Sequence, residues 1–134
     1  MGEPAWESDA LDIALRAAQR PPEESGVVDA GLCHGAAGLG HIFNKLFQAT
    51  GKRRFREAAQ SWFESALDMR RVGQGIAGFS AFMRDDDGKE CWIGRLGILT
   101  GVTGIALALL AATTEIDPQW DRMLLLSIAL GRRS

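Results

Sequence analysis

Gly31-Leu32-Cys33-His34-Gly35-Ala36-Ala37-Gly38 sets a thiol beside an imidazole in a glycine-rich turn, immediately ahead of a strongly periodic segment. Thiolate and neutral imidazole are two of the commonest ligands of tetrahedral zinc. The glycines at 31, 35 and 38 permit a sharp turn and close backbone packing, so that two neighbouring side chains reach one ion. A helix opening here is expected to present unpaired amides and the positive end of its dipole, a setting that favours anionic ligands. On spacing alone, the same residues also suit a small buried thiol and a helix-capping histidine.

The spacing recurs. Gly31-x-x-x-Gly35-x-x-Gly38 returns as Gly97-x-x-x-Gly101-x-x-Gly104, and each copy opens an apolar segment. Helix hairpins repeated with matching glycine-rich starts predict an all-α array. After the first copy, Leu39, Ile42, Phe43, Leu46 and Phe47 keep helical spacing over 36–50, with Gly51 as C-cap. His41 falls off that stripe and reads as a solvated or capping histidine, a further metal ligand being the alternative. The segment 52–70 carries Phe55, Ala58, Ala59, Trp62, Phe63, Ala66 and Leu67 as one continuous core stripe. Upstream, 7–20 is predicted helical, with Ser8 as N-cap, Leu11, Ala14, Leu15 and Ala18 on one face, and Pro21-Pro22 as the stop.

After the second copy, 103–114 is apolar around most of its circumference and must be buried on several sides. Asp117-Pro118 is a good start for a fifth helix, packed through Trp120, Met123, Leu124 and Ser127 or Ile128 and fraying at Arg132-Arg133. Between the copies, 72–78 is a glycine-rich turn and 79–83 fits either a helical turn or a strand. Asp85-Asp86-Asp87-Gly88 reads as a solvated turn, because it lacks the alternating ligands and closing glutamate of a calcium loop. Cys91 lies in the connection before Gly94 and reads as a partly buried residue under a loop; a second metal donor or a disulfide with Cys33 are the alternatives.

With 134 residues the chain can form one small domain. Its net charge of −2 leaves no basic footprint, so nucleic acid is not an expected partner. Two cysteines and an acidic N-terminus without a targeting layout predict free thiols in a reducing cytoplasm. The longest apolar run, 98–112, falls short of the roughly 18 residues a membrane span needs. The scattered Asp and Glu offer no paired carboxylates of the kind a hydrolase built from helical hairpins would use.

Three segments, in order, resemble the lanthionine synthetase C (LanC-like) cyclases. Gly31 to Gly38 is similar to that family's Cys-His-Gly signature, 97–110 to its last glycine-rich repeat, and 118–127 to its closing helix. The resemblance implies the C-terminal part of an α/α toroid, with inner helices opening at the glycine turns and outer helices such as 52–70 around them. It implies Zn²⁺ as cofactor, Cys33 and His34 as two of three protein ligands, and a precursor peptide as substrate. The implied reaction adds a peptide cysteine thiol to dehydroalanine or dehydrobutyrine, closing a thioether ring. The family's other zinc cysteine and its acid/base residues belong to earlier repeats, and neither Cys91 nor His41 matches them. The resemblance therefore implies an incomplete site: a chain inactive alone that self-associates or joins a complementing N-terminal half. A non-catalytic helical module binding a peptide or protein without metal is the alternative expectation.

Overall fold

The computed structural model describes residues 4–124 and 126. Their order is helix α1 (Pro4–Ala18), a 3₁₀ turn (Pro22–Glu24), α2 (Ala36–Thr50), α3 (Arg53–Asp68), strands β1 (Ala81–Arg84) and β2 (Glu90–Ile93), α4 (Val102–Thr113) and a second 3₁₀ segment (Gln119–Leu124). The fold is all-α apart from one short hairpin. Helix α2 packs on both α3 and α4, and α1 lies against α3. The two helices that open at the repeated glycine turns thus touch each other, with α1 and α3 stacked beside them.

Most predicted helices stand with small changes of boundary. Helix α1 begins at Pro4, three residues before the expected start, because proline suits the first turn where no amide partner is needed. Ser8 therefore lies inside the helix and is not its cap. Leu11, Ala14, Leu15 and Ala18 face the core as expected. Helix α2 ends at Gly51, whose φ of 68° is the left-handed cap conformation.

Helix α3 buries Phe55, Ala58, Ala59, Trp62 and Ala66. Leu67 is 51% exposed, so the stripe is one residue narrower than its sequence suggests. Helices α2 and α3 approach closely at Gly40, where a Cβ would sit 3.0 Å from the Phe63 ring. The apolar helix α4 buries Gly104, Ile105, Ala108 and Ala111, yet Leu110 is left exposed.

The segment left open between helix and strand is a strand. Antiparallel β1 and β2 pair Ala81 with Ile93, Phe82 with Trp92, Met83 with Cys91 and Arg84 with Glu90. Residues 85–88 form their turn. Asp85 Oδ1 accepts the amides of Asp87 and Lys89, and Gly88 adopts φ 77°. Its carboxylate is thus used by the turn itself, as the solvated-turn reading requires. Cys91 accordingly lies in β2, not in a loop, and is partly exposed.

Beyond α4, the expected fifth helix is seen only as the 3₁₀ segment Gln119–Leu124; Ser127, Ile128, Arg132 and Arg133 lie outside the described residues. No helix among the described residues is long and apolar enough to cross a membrane.

Candidate functional site

The two glycine turns are built alike. Gly35 caps α2 at φ −107° and ψ −176°, and Gly101 caps α4 at φ −114° and ψ −179°. A Cβ on Gly101 would sit 2.5 Å from the Gly97 amide nitrogen, and one on Gly35 would meet Gly31 in the same way. A Cβ on Gly38 would overlap the Leu32 carbonyl, as one on Gly104 would overlap that of Ile98. These glycines exist for close backbone approach, since all four φ values are ordinary.

The first-turn amides of α2 are not free. Ala36, Ala37 and Gly38 donate to the carbonyls of Asp29, Ala30 and Gly31 at 2.9, 3.3 and 3.3 Å. The expectation of an open, anion-favouring helix start is therefore corrected: the preceding loop folds back and satisfies those donors itself. The second turn does likewise, with Val102 donating to Arg95 at 2.9 Å. The turns are also joined. The Leu99 carbonyl accepts both the Leu32 amide at 2.9 Å and the Cys33 amide at 2.8 Å, so the second repeat pins the backbone of the first at the thiol.

On this rigid turn Cys33 and His34 both stand exposed. The buried-thiol reading fails on that observation. Both residues border one cleft of about 260 Å³, walled by Arg20, Leu39, Ile42 and Trp62. Ile42, expected in the core stripe of α2, is instead part of this wall and 36% exposed.

Behind the imidazole lies Asp29, 1% exposed, which the sequence reading did not single out. Its Oδ1 accepts the Gly31 amide at 2.9 Å, and its Oδ2 accepts the Phe82 amide of β1 at 2.9 Å. The same Oδ1 lies 3.7 Å from His34 Nδ1. A Cβ on Gly35 would come within 2.5 Å of that oxygen, so the glycine makes room for the carboxylate. One local signal was available: Asp two residues before Gly is the pattern of an Asx turn. A second cleft of about 290 Å³, bordered by Asp29, Met69, Arg71, Phe79 and Trp92, contains neither Cys33 nor His34.

The other two candidates are not brought to this cleft. Cys91 and Cys33 are both free thiols, and Cys91 is not among the residues bordering the Cys33–His34 cleft. His41 is fully buried, which corrects the expectation of a solvated or capping histidine. Its Nε2 lies 3.2 Å from Asp121 Oδ2, and its ring stacks on Trp120 at 4.8 Å between centroids. The same Asp121 oxygen is 3.2 Å from Nζ of Lys45, itself 3% exposed, with Asp117 Oδ1 at 3.8 Å from that ammonium. The polar face of α2 is thus the docking face for residues 117–124, so a histidine off the apolar stripe was buried by a carboxylate arriving from far along the chain. Among the described residues, no cluster of three or more His, Cys, Asp or Glu side chains is arranged to hold a metal.

The model of the lanthionine synthetase C-like proteins matches residues 7–125. The chain belongs to that family. A comparison with curated proteins finds no significant match. In this LanC-like chain the Cys33–His34 turn is held jointly by Leu99 and Asp29.

Proposed function

We propose that this LanC-like chain supplies the Cys33–His34 part of a zinc site in a lanthionine cyclase. Adjacent thiol and imidazole, both exposed toward one cleft, carry the reading. A soft thiolate and a borderline imidazole fill two of four tetrahedral positions, and the exposed edge of the turn leaves the others open to a further protein ligand and a substrate thiol. Zinc bound there would supply the Lewis acidity that ionises a peptide cysteine at neutral pH.

The chain's own residues hold and orient. Leu99 fixes the Cys33 backbone, and the wall of Leu39, Ile42 and Trp62 offers apolar surface to a peptide lying across the cleft. In the reaction the substrate sulfur forms a bond to the β-carbon of a dehydroamino acid, its π-electrons move to the α-carbon and carbonyl, and a general acid delivers the proton there. That acid is not His41, which is buried against Asp121 and Trp120. With two donors of its own, the chain is proposed to be inactive alone and to act with a complementing N-terminal half.

Zinc content per chain, measured on protein purified without chelator, tests the reading. About one zinc per chain, lost in Cys33→Ala, supports it. A well-folded chain that takes up no added zinc, or whose zinc is undiminished in Cys33→Ala, overturns it and favours the second reading, a helical module that binds a peptide without metal. The apolar wall of the cleft is the observation behind that alternative.

A further inference from the structure

Asp29 has more to do than close a turn. It is a carboxylate 1% exposed, with each oxygen already accepting one backbone amide, and it faces the inner nitrogen of a half-exposed histidine. Gly31 alone needs one acceptor, which a serine or asparagine supplies, whereas the carboxylate gives a second oxygen to the Phe82 amide. Retaining a buried carboxylate costs desolvation, and the two backbone amides that donate to it offset part of that cost. The His34 imidazole faces the same carboxylate at 3.7 Å, longer than a direct hydrogen bond. The His34 side chain is 51% exposed, so the ring meets both solvent and the buried carboxylate.

We propose that Asp29 is a positioning residue that holds His34 with its proton on Nδ1, leaving the Nε2 lone pair directed toward the cleft as the donor atom. A carboxylate facing Nδ1 favours the tautomer with hydrogen on that atom, because the alternative sets a lone pair against a negative oxygen. Metal-binding histidines generally need such an outer partner to fix the ring and raise its basicity. Asp29 also ties that choice to the hairpin, because its second oxygen holds Phe82 at the start of β1. The orientation of His34 is thereby coupled to β1 as well as to the turn. The assignment rests on the proposed zinc reading for its purpose, but not for its test.

The chain has two histidines, and opposite tautomers are expected of them. His41 presents Nε2 to Asp121 and must carry its proton there, whereas His34 presents Nδ1 to Asp29. Nitrogen NMR of metal-free, ¹⁵N-histidine-labelled protein in mildly alkaline buffer separates them, with His41→Gln to assign the signals. The expected result is a majority Nδ1–H form for His34 in the native chain and loss of that majority in Asp29→Asn. A majority Nε2–H form for His34 overturns the proposal, as does an unchanged tautomer in folded Asp29→Asn. If Asp29→Asn does not fold, the native chain's tautomer decides alone.

A second readout is zinc affinity by competition with a chromophoric chelator, expected to fall about 10–100-fold in Asp29→Asn. A native chain that shows the Nδ1–H form yet binds no zinc would sink the cyclase reading and leave the positioning role of Asp29 standing.

Discussion

Asp121 Oδ2 lies 3.2 Å from His41 Nε2, with both side chains buried at the junction of α2 and the 3₁₀ segment. Burial pushes the His41 imidazole below its ordinary value of 6.5, more strongly than the Asp121 carboxylate raises it, and Lys45 adds a smaller push in the same direction as burial. The unfolded chain therefore takes up this proton before the folded chain does. Stability from His41 is complete above the unfolded value and is lost as pH falls through about 6.5 toward the lowered folded value. Denaturant titrations across that window should show native stability declining while His41→Gln, though weaker at neutral pH, declines less. Parallel pH profiles would show that His41 is not buried neutral.

Asp121 also neutralises Lys45, whose ammonium is 3% exposed. Removing the carboxylate strands a buried cation with only half-exposed Asp117, at 3.8 Å, for company. Asp121→Ala should therefore cost about 3–5 kcal/mol, the range for breaking a buried pair from one side. Lys45→Met combined with Asp121→Leu should recover much of that loss, because no charge is then left uncompensated. Urea melts of the three variants measure both effects. An Asp121→Ala chain of native stability would mean that residues 117–124 do not dock on α2.

Gly38 and Gly104 stand inside the first turns of α2 and α4, where helix propensity alone favours alanine by about 1 kcal/mol. The carbonyls of Leu32 and Ile98 occupy the places their Cβ atoms would take. Backbone cannot swing aside as a flexible side chain does, so Gly38→Ala and Gly104→Ala should each lose about 2–3 kcal/mol, the sign opposite to propensity. Gly51→Ala is the contrast: its Cβ meets nothing within 4 Å, so only its φ of 68° opposes the change, and about 1 kcal/mol is expected. Thermal melts followed by circular dichroism rank the three. Equal effects at 38 and 51 would contradict the close approach of the turn.

What could be read from the chain follows the range of the signal. Phe55, Ala59, Trp62 and Ala66 repeat at helical spacing, so α3 was legible from local sequence, and the doubled glycine pattern announced two turns that the structure builds almost identically. Cys33 and His34 were legible because they are adjacent. Asp29 was not, since its hydrogen bond to Phe82 crosses 53 residues and only the Asx pattern with Gly31 is local. His41 was misread for a related reason: apolar periodicity finds the face that packs on hydrophobic neighbours, whereas the face that meets Asp121, 80 residues away, is polar. Ile42 shows the converse. An apolar residue on the expected stripe ends in a cleft wall, because periodicity marks what is apolar and not what is covered.

Cys33 is exposed and Cys91 partly exposed, and both are free thiols. Attack on a disulfide reagent depends on access to the sulfur as well as on thiolate fraction. Titration with an aromatic disulfide should therefore release two equivalents per chain, a fast one from Cys33 and a slower one from Cys91 in β2. Cys33→Ala should remove the fast phase and leave the slow one intact. If the turn holds zinc, adding the metal should slow the fast phase by at least about tenfold, since a coordinated thiolate is withheld from the reagent. The slow phase should be untouched, because Cys91 does not border that cleft. Equal protection of both thiols would place Cys91 at the metal and overturn the separation drawn here between the two cysteines, while protection of neither would leave Cys33 an ordinary surface thiol and the chain a binding module.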